Sequence, residues 1–197
     1  MNRALSFIMS RRKYLVASLL ITLICYGALE YTSNRYIIAY TREGHYCLPY
    51  SMWLIKKGEK PGRGDYVSFV GHGIPHFADG VKWVKVLTGM PADRLETNVV
   101  PVTERNNYSE VVEINGMPKQ LRAQAQVSLY PSVPGETTLK FRVFEKDSRG
   151  QSLPAINSQT IPPGKFFVST PAQRSFDSRY WGLIDEKAIL GKAYPIF

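Results

Sequence analysis

One uncharged apolar segment stands apart from the rest of the chain. Residues 14–29, YLVASLLITLICYGAL, contain no charged side chain and have no polar face. As a helix, these 16 residues span about 24 Å, slightly less than the roughly 30 Å hydrocarbon core of a bilayer. Arg11, Arg12 and Lys13 precede the segment, and such side chains reach headgroups along their alkyl stems. The pattern predicts a transmembrane anchor at residues 14–30.

The basic residues before the anchor predict its orientation. Lys and Arg are retained on the cytoplasmic side, so residues 1–13 are predicted to be cytoplasmic. Residues 31–197 would then form an exported domain on the periplasmic side of a single-pass protein of the bacterial inner membrane. A cleaved signal peptide is the competing interpretation, because cleavage after Gly27 would place Cys25 and Gly27 at the two positions that require small residues. A buried core helix is a third interpretation, although a segment without a polar face suits lipid better.

Beyond the anchor, short apolar or β-branched runs between turn residues predict a mostly β domain. Residues 95–160 are predicted to be a β insertion with few candidate catalytic groups, containing a turn at Asn115-Gly116. The predicted fold is a β catalytic domain with a β insertion, preceded by one transmembrane helix. The candidate strands are Tyr36–Tyr40, Asp65–Val70, Val81–Leu87, Val111–Ile114, Val127–Tyr130 and Thr138–Phe144.

Net charge bears on the class of partner, and cysteine content bears on disulfide bonds. The formal charge of +9 suits nucleic acid or anionic lipid. The basic residues are scattered, however, and cluster only at residues 11–13 and at Lys56-Lys57, so no nucleic-acid partner is predicted. Cys25 and Cys47 are predicted to be separate thiols, and Cys47 is a candidate to pack near an active site.

Lys85 is an unexpected residue inside a candidate strand. Alternation places Lys85 on the same face as Trp83 and Leu87. The opposite face carries Val84 and Val86, so both faces are apolar and Lys85 is predicted to be at least partly buried. Burial disfavours the ammonium form and lowers the pKa, which lets a lysine act as a general base. An edge-strand lysine with its amine in water is the alternative.

Ser51 is the candidate nucleophile. Pro49 stiffens the chain before it, and the apolar Met52 and Trp53 follow it. In a Ser/Lys mechanism, a neutral Lys85 takes the proton of Ser51 Oγ, and backbone N–H groups stabilise the oxyanion.

The histidines offer no competing mechanism. His72 and His76 are four residues apart, but the Gly and Pro residues around them oppose the helix that would direct both toward one metal. His45 is isolated. No metal or other cofactor is predicted.

Four short sequence blocks resemble blocks of the type I signal peptidase family of serine proteases and occur in the same order. In that family they carry the nucleophile followed by methionine, an RGD-hydrophobic strand, a base-bearing strand with the pattern K-R-x-x-G-x-P-G-D, and a closing S-x-D-S-R-x-W-G. The resemblance covers Tyr14 to the end except residues 95–160. The four blocks here are Ser51-Met52, Arg63-Gly-Asp-Tyr-Val-Ser-Phe69, Val84-Lys-Val-Leu-Thr-Gly-Met-Pro-Ala-Asp93 and Ser175-Phe-Asp-Ser-Arg-Tyr-Trp-Gly182.

The resemblance implies a role for five residues. Ser51 would be the nucleophile and Lys85 the general base. Ser175 would orient the lysine amine by a hydrogen bond, and Asp177 with Arg179 would form a supporting ion pair. It also implies a β fold at the membrane surface that cleaves exported proteins after small-x-small sequences.

The chain also departs from the family pattern. Pro49 has no hydroxyl to serve the oxyanion hole, so the backbone N–H of Ser51 would carry more of that function. These departures are similar to the TraF-type peptidases of conjugative transfer systems, which process pilus precursors. The replacements are Pro49 for a serine or glycine, Leu54 for a proline, Ala92 for a glycine, and residues 169–174 for a G-D-N-R segment.

The sequence therefore predicts a membrane-anchored Ser/Lys endopeptidase that removes the leader from exported precursors, with a pilin-like subunit in conjugative transfer as its substrate. The predicted partners are this precursor, membrane lipid and conjugative transfer proteins. Two alternatives stay open. One is a catalytically silent, membrane-anchored assembly factor of a conjugation or secretion apparatus. The other is a pilin-cyclising transpeptidase that uses the same dyad and passes the acyl group to an amine.

Overall fold

The computed structural model of the chain describes residues 2–41, 47–105, 109–114, 117–147 and 149–197. The chain divides into two compact units, Met1–Ile37 and Ile38–Phe197.

The first unit is dominated by one long helix, α1 (Asn2–Arg35). Its segment Arg11–Arg35 has 25 residues and a mean hydropathy of 1.6 over its most apolar stretch, and none of that stretch is buried within the protein. By length and composition, the segment therefore qualifies as a membrane span. The predicted anchor lies inside this helix. Near the end of the helix, Thr32 Oγ1 donates to the Ala28 carbonyl one turn earlier at 2.9 Å. At the helical rise, 25 residues cover about 37 Å, enough to cross a bilayer with some tilt.

A seven-stranded sheet carries the predicted site residue Lys85. Its strands are β1 (Tyr36–Tyr40), β2 (Met52–Lys57), β3 (Tyr66–Val70), β4 (Lys82–Gly89), β11 (Lys165–Ser169), β12 (Ile184–Asp185) and β13 (Ile189–Pro195). Their order is β1-β2-β13-β3-β4-β11-β12. The neighbours from β2 to β12 are antiparallel. The predicted strands at β1, β3 and β4 are confirmed, whereas β2, β11, β12 and β13 were not predicted.

Residues 95–160 are largely β, as predicted. They supply most of a four-stranded sheet and a separate two-stranded hairpin; the predicted turn at residues 115–116 lies outside the described residues. The strands are β5 (Arg94–Val99), β6 (Glu110–Ile114), β7 (Met117–Leu121), β8 (Ala123–Tyr130), β9 (Leu139–Phe144) and β10 (Gln159–Thr160). The sheet order is β10-β5-β8-β9, and β6 pairs with β7.

Strand β11 lies between two apolar cores because successive side chains of a strand point to opposite faces. Phe167 packs in the core that includes Leu129 and Val143 from the four-stranded sheet. Val168 packs in the second core, together with Leu87 of β4. The chain then leaves β11 and forms the short helix α2 (Ser178–Trp181). This arrangement places the residues just before α2 over the middle of β4.

Candidate active site

Lys85 lies in the middle of β4, paired with Val67 of the neighbouring strand β3. Its side chain is only 3% exposed, which confirms the predicted burial and rules out the edge-strand alternative. Lys85 Nζ donates a 2.8 Å hydrogen bond to Ser175 Oγ and lies 5.8 Å from the centre of the Trp83 ring. The amine is therefore directed at a hydroxyl group inside the protein and not at bulk water.

Burial is the main influence on the Lys85 amine and lowers its pKa from the ordinary value of 10.5. The nearby Cys47 side chain and the Asp177 carboxylate raise the pKa of Lys85 and partly oppose this shift. Arg179 repels the ammonium and adds to the lowering of the pKa. Because only a neutral amine can accept a proton, the net lowering suits Lys85 to general-base chemistry.

Asp177 and Arg179 form an ion pair that is almost completely buried, with exposures of 0% and 1%. Arg179 Nε and Nη2 donate to the two carboxylate oxygens at 2.8 and 2.9 Å. Asp177 also caps α2 by accepting the Arg179 backbone N–H at 3.2 Å. The pair thereby holds the segment that carries Ser175. The remaining guanidinium N–H groups donate to the carbonyls of Arg142, Thr170, Ala172 and Gln173.

Ser178 and Tyr180 attach α2 to neighbouring strands. Ser178 Oγ accepts the backbone N–H of Val168 at 3.0 Å, and Tyr180 Oη accepts that of Phe144 at 3.2 Å. Burial raises the pKa of Tyr180 to about 12, so its hydroxyl stays protonated. Sequence reasoning quoted both residues within the closing block but assigned neither a contact, because the strands they meet are distant in the chain.

Ser51 lies next to β2 with an exposed side chain. Its backbone N–H donates to the Phe197 carbonyl oxygen at 2.6 Å, and its own carbonyl accepts the Thr41 N–H at 2.7 Å. Between the two described residues Ser51 and Lys85 there is no side-chain hydrogen bond; the amine donates instead to Ser175 Oγ. The role of Ser51 stays a prediction, and the N–H expected to serve the oxyanion hole is already engaged.

Cys47 is a free thiol that is half-buried in the loop before β2. It is one of the groups that influence the pKa of Lys85, so it lies near the amine, and the prediction of an unpaired thiol is confirmed. A single thiol in a loop has no periodic pattern that would indicate which side chain it meets.

Comparison with known proteins identifies the family. The signal peptidase family, peptidase S26, matches residues 11–197. The chain belongs to this family. It is 32% identical to "Conjugal transfer protein TraF" of Agrobacterium fabrum over 65 residues, which cover 33% of this chain and 37% of the relative. It is 26% identical to "Signal peptidase I" of Haemophilus influenzae over 183 residues, covering 71% of this chain and 51% of the relative. The chain thus spans about half or less of the length of these curated relatives.

Two departures from the signal peptidase pattern have local structural consequences. Ala92 has a φ of 73°, in the left-handed region that suits the family's glycine and strains a side chain with a Cβ. Leu54 lies within β2 opposite Tyr194 of β13. A proline at position 54 would have no N–H for such a sheet, so leucine suits a strand with neighbours on both sides.

An ion pair between Arg63 and Asp93 connects the second and third of the four sequence blocks that resemble the family. Arg63 Nη1 and Nη2 donate to the Asp93 carboxylate at 2.6 and 3.0 Å. Burial raises the pKa of Asp93, but hydrogen bonds from Arg63 and from the backbone N–H groups of Met90 and Ser132 outweigh it, and the net pKa is lowered. This ion pair, which sequence reasoning missed, fixes the end of β4 beside the insertion.

The histidines lie away from these contacts where they are described. His72 and His76 are exposed, and His45 lies outside the described residues. Among the described residues there is no group of three or more His, Cys, Asp and Glu side chains placed to hold a metal ion.

Proposed function

We propose that this chain is a membrane-anchored endopeptidase that removes the leader from exported precursor proteins, with Lys85 as its general base. The observation that carries the proposal is the Lys85 amine, which is 3% exposed and held by Ser175 Oγ at 2.8 Å. Buried titratable groups with shifted pKa values are concentrated at functional sites. Ser175 orients the amine, and the Asp177–Arg179 pair keeps Ser175 in place.

In the reaction, the neutral amine of Lys85 takes the proton of the nucleophile as it attacks the scissile carbonyl. The resulting ammonium gives this proton to the leaving amine, and an acyl-enzyme remains. Water then attacks the acyl-enzyme with the help of the same amine. Ser51 is the nucleophile predicted from the sequence, and in that role its hydroxyl has to turn toward Lys85 when substrate binds.

The proposed substrates are pilin-like precursors of a conjugative transfer apparatus. The similarity to the Agrobacterium protein named "Conjugal transfer protein TraF" supports this class. A cluster of positive charge, residues 11–13, lies at the amino-terminal end of the candidate span Arg11–Arg35, so the amino terminus is proposed to be cytoplasmic and the peptidase unit periplasmic.

A pair of lysine variants on the same strand tests the proposal. Lys85→Ala removes the proposed base, whereas Lys82→Ala removes an exposed lysine three residues earlier. The full chain is reconstituted in liposomes with precursors that carry small-x-small sites, including a pilin-like precursor, and the new termini are identified by mass spectrometry. We expect Lys85→Ala to lower the rate at least about 100-fold and Lys82→Ala to leave it within about twofold. Precursor processing by Lys85→Ala at the wild-type rate contradicts the proposal. A product that lacks the mass of one water identifies cyclisation.

A catalytically silent assembly factor is the second candidate. The observation that favours it is the Ser51 backbone N–H, which is engaged by the Phe197 carbonyl oxygen at 2.6 Å and is not free for an oxyanion. If the wild-type chain cleaves no precursor while its deletion still blocks assembly of the apparatus, the silent factor replaces the peptidase.

A further inference from the structure

Two successive backbone N–H groups converge on one oxygen atom beside the predicted nucleophile. The N–H of Ser51 donates to the backbone oxygen of Phe197 at 2.6 Å, and the N–H of Met52 donates to the same atom at 3.0 Å. Ser51 precedes β2 with its side chain exposed, and Met52 begins the strand. One oxygen is therefore held by two N–H groups, one of which belongs to the residue that carries the predicted nucleophilic hydroxyl.

The pairing of these residues departs from a regular ladder. Residues 196–197 follow β13 and continue its antiparallel course along β2, where the Ile196 N–H donates to the Met52 carbonyl at 2.9 Å. In a regular antiparallel pair, only alternate N–H groups of a strand meet a given neighbouring strand. Two successive N–H groups that share one acceptor form instead a concave nest, which is an arrangement that binds anionic oxygen.

This nest has the geometry of an oxyanion hole. Such a hole needs donors about 2.7–3.1 Å from the position of the oxyanion, and the two hydrogen bonds to the Phe197 oxygen measure 2.6 and 3.0 Å. In hydrolases of other folds, the residue after the nucleophile supplies one such N–H. Because Pro49 has no hydroxyl, the Met52 N–H offers a second donor beside that of Ser51.

We propose that the N–H groups of Ser51 and Met52 form the oxyanion hole of this peptidase, and that the Phe197 backbone oxygen occupies the hole until a substrate carbonyl replaces it. The inference rests on the proposed peptidase function, with Ser51 as the nucleophile. Residues 196–197, called the strap below, act as an internal competitor of the substrate.

The covalent step uses both donors. As Ser51 Oγ forms a bond to the scissile carbonyl carbon, its proton passes to Lys85 and the carbonyl oxygen takes the negative charge. The two N–H groups stabilise this charge. When the C–N bond breaks, the Lys85 ammonium gives the proton to the departing amine and the acyl-enzyme remains.

The strap is held weakly enough to be displaced. Its side chains are largely in solvent, with exposures of 43% for Ile196 and 76% for Phe197. The preceding residue, Pro195, has no N–H to donate to β2. Segments held by backbone hydrogen bonds at the surface, with little buried apolar contact, open at a low free-energy cost. A substrate carbonyl can therefore replace the strap without unfolding of the sheet.

Variants of the strap test the competition in the precursor assay described above. Ile196→Pro removes the N–H that donates to Met52, Ile196→Ala keeps this N–H, and deletion of residues 196–197 removes the competing oxygen itself. We expect the deletion to process at least about fivefold faster than the wild type, and Ile196→Pro at least about fivefold faster than Ile196→Ala, with the gain in KM, because a larger fraction of molecules has an open hole.

The control for these variants is Tyr194→Phe, which changes an exposed hydroxyl on β13 outside the strap. Its rate should stay within about twofold of the wild type. If neither Ile196→Pro nor the deletion exceeds the wild-type rate, the competition by the strap is overturned.

A pair of variants at position 52 tests the second donor. Met52→Pro removes the N–H, whereas Met52→Leu keeps it at a similar side-chain volume. Loss of one oxyanion donor costs about 10²–10³ in kcat, so Met52→Pro should lower kcat at least about 100-fold relative to Met52→Leu. It should also bind a peptide boronic acid, a tetrahedral analogue, at least about tenfold more weakly while KM changes by less than about threefold. A purely structural defect would weaken both equally, and that result overturns the role of Met52.

Hydrogen exchange resolved by residue reports the replacement directly. When the boronic acid binds the wild-type chain in micelles, the Ile196 N–H should exchange at least about tenfold faster, because the strap has left β2. The Ser51 and Met52 N–H groups should stay protected, since the tetrahedral oxygen takes the place of the Phe197 oxygen. Unchanged protection of Ile196 in the presence of the boronic acid overturns the inference.

The two proposals fail in distinguishable ways. If Lys85→Ala is inactive while the strap variants do not exceed the wild-type rate, the peptidase stands and the occupied hole is overturned. If Lys85→Ala processes precursors at the wild-type rate, or if even the strap deletion cleaves no precursor, the proposed function itself is overturned. Faster processing by the strap deletion that is lost when Lys85→Ala is added supports both proposals.

Discussion

Replacement of Asp177 by asparagine should destabilise the second unit strongly, because it leaves the charge of Arg179 buried without a partner. The two side chains are 0% and 1% exposed and meet at 2.8 Å. Asparagine keeps the shape of aspartate, but its NH₂ group faces a guanidinium that has only donors to offer. The backbone carbonyls around Arg179 remain, yet they carry no formal charge.

The magnitude follows from this burial. Removal of one partner of a buried ion pair costs about 3–5 kcal/mol of unfolding free energy. For a unit of about 160 residues, each kcal/mol lowers Tm by about 2–4 °C, so Asp177→Asn should lower Tm by about 6–20 °C. The double variant Asp177→Asn with Arg179→Met removes the charge as well, and we expect it to be more stable than the sum of the two single losses implies.

Thermal unfolding of the full chain in detergent micelles, followed by circular dichroism and tryptophan fluorescence, measures this shift. The control is Lys60→Ala, which breaks a pair with Glu186 whose side chains are 88% and 54% exposed. Exposed ion pairs contribute about 0–1 kcal/mol to the unfolding free energy. If Asp177→Asn lowers Tm by no more than this control does, the reasoning about the buried charge is refuted.

Three further predictions concern single sites. The rate of precursor processing should rise with pH through the pKa of Lys85, because only the neutral amine accepts a proton. Burial lowers this pKa from the ordinary value of 10.5. A flat rate between about pH 6 and 9, with chemistry rate-limiting, would count against Lys85 as the base. Ala92→Gly should raise the unfolding free energy by about 0.5–1 kcal/mol by relieving a left-handed backbone, and an unchanged or lower Tm would contradict this. Tyr180→Phe should lower the unfolding free energy by about 1–3 kcal/mol, because the buried Phe144 N–H loses its acceptor. The control Tyr194→Phe removes an exposed hydroxyl bonded to Glu59, and an equal effect of the two changes would refute the burial argument.

Local patterns predicted much of the second unit. The alternation around Lys85 predicted its burial, and the strand pattern at Tyr36–Tyr40 has the bounds of β1. β2 and β13 were missed because their pairing joins Trp53 to Pro195, across most of the chain. Neither strand has an alternation clear enough to identify it without its partner.

The sequence by itself determined the candidate anchor, the β class, the buried lysine and the order of the family blocks. These properties depend on neighbouring residues, through charge, hydrophobicity and a period of two along a strand. Only the tertiary structure brought the Lys85 amine to its partner. Ser175 lies 90 residues further along the chain, and strand pairing and core packing bring its Oγ within 2.8 Å of the amine, while the Ser51 backbone N–H donates to the Phe197 backbone oxygen.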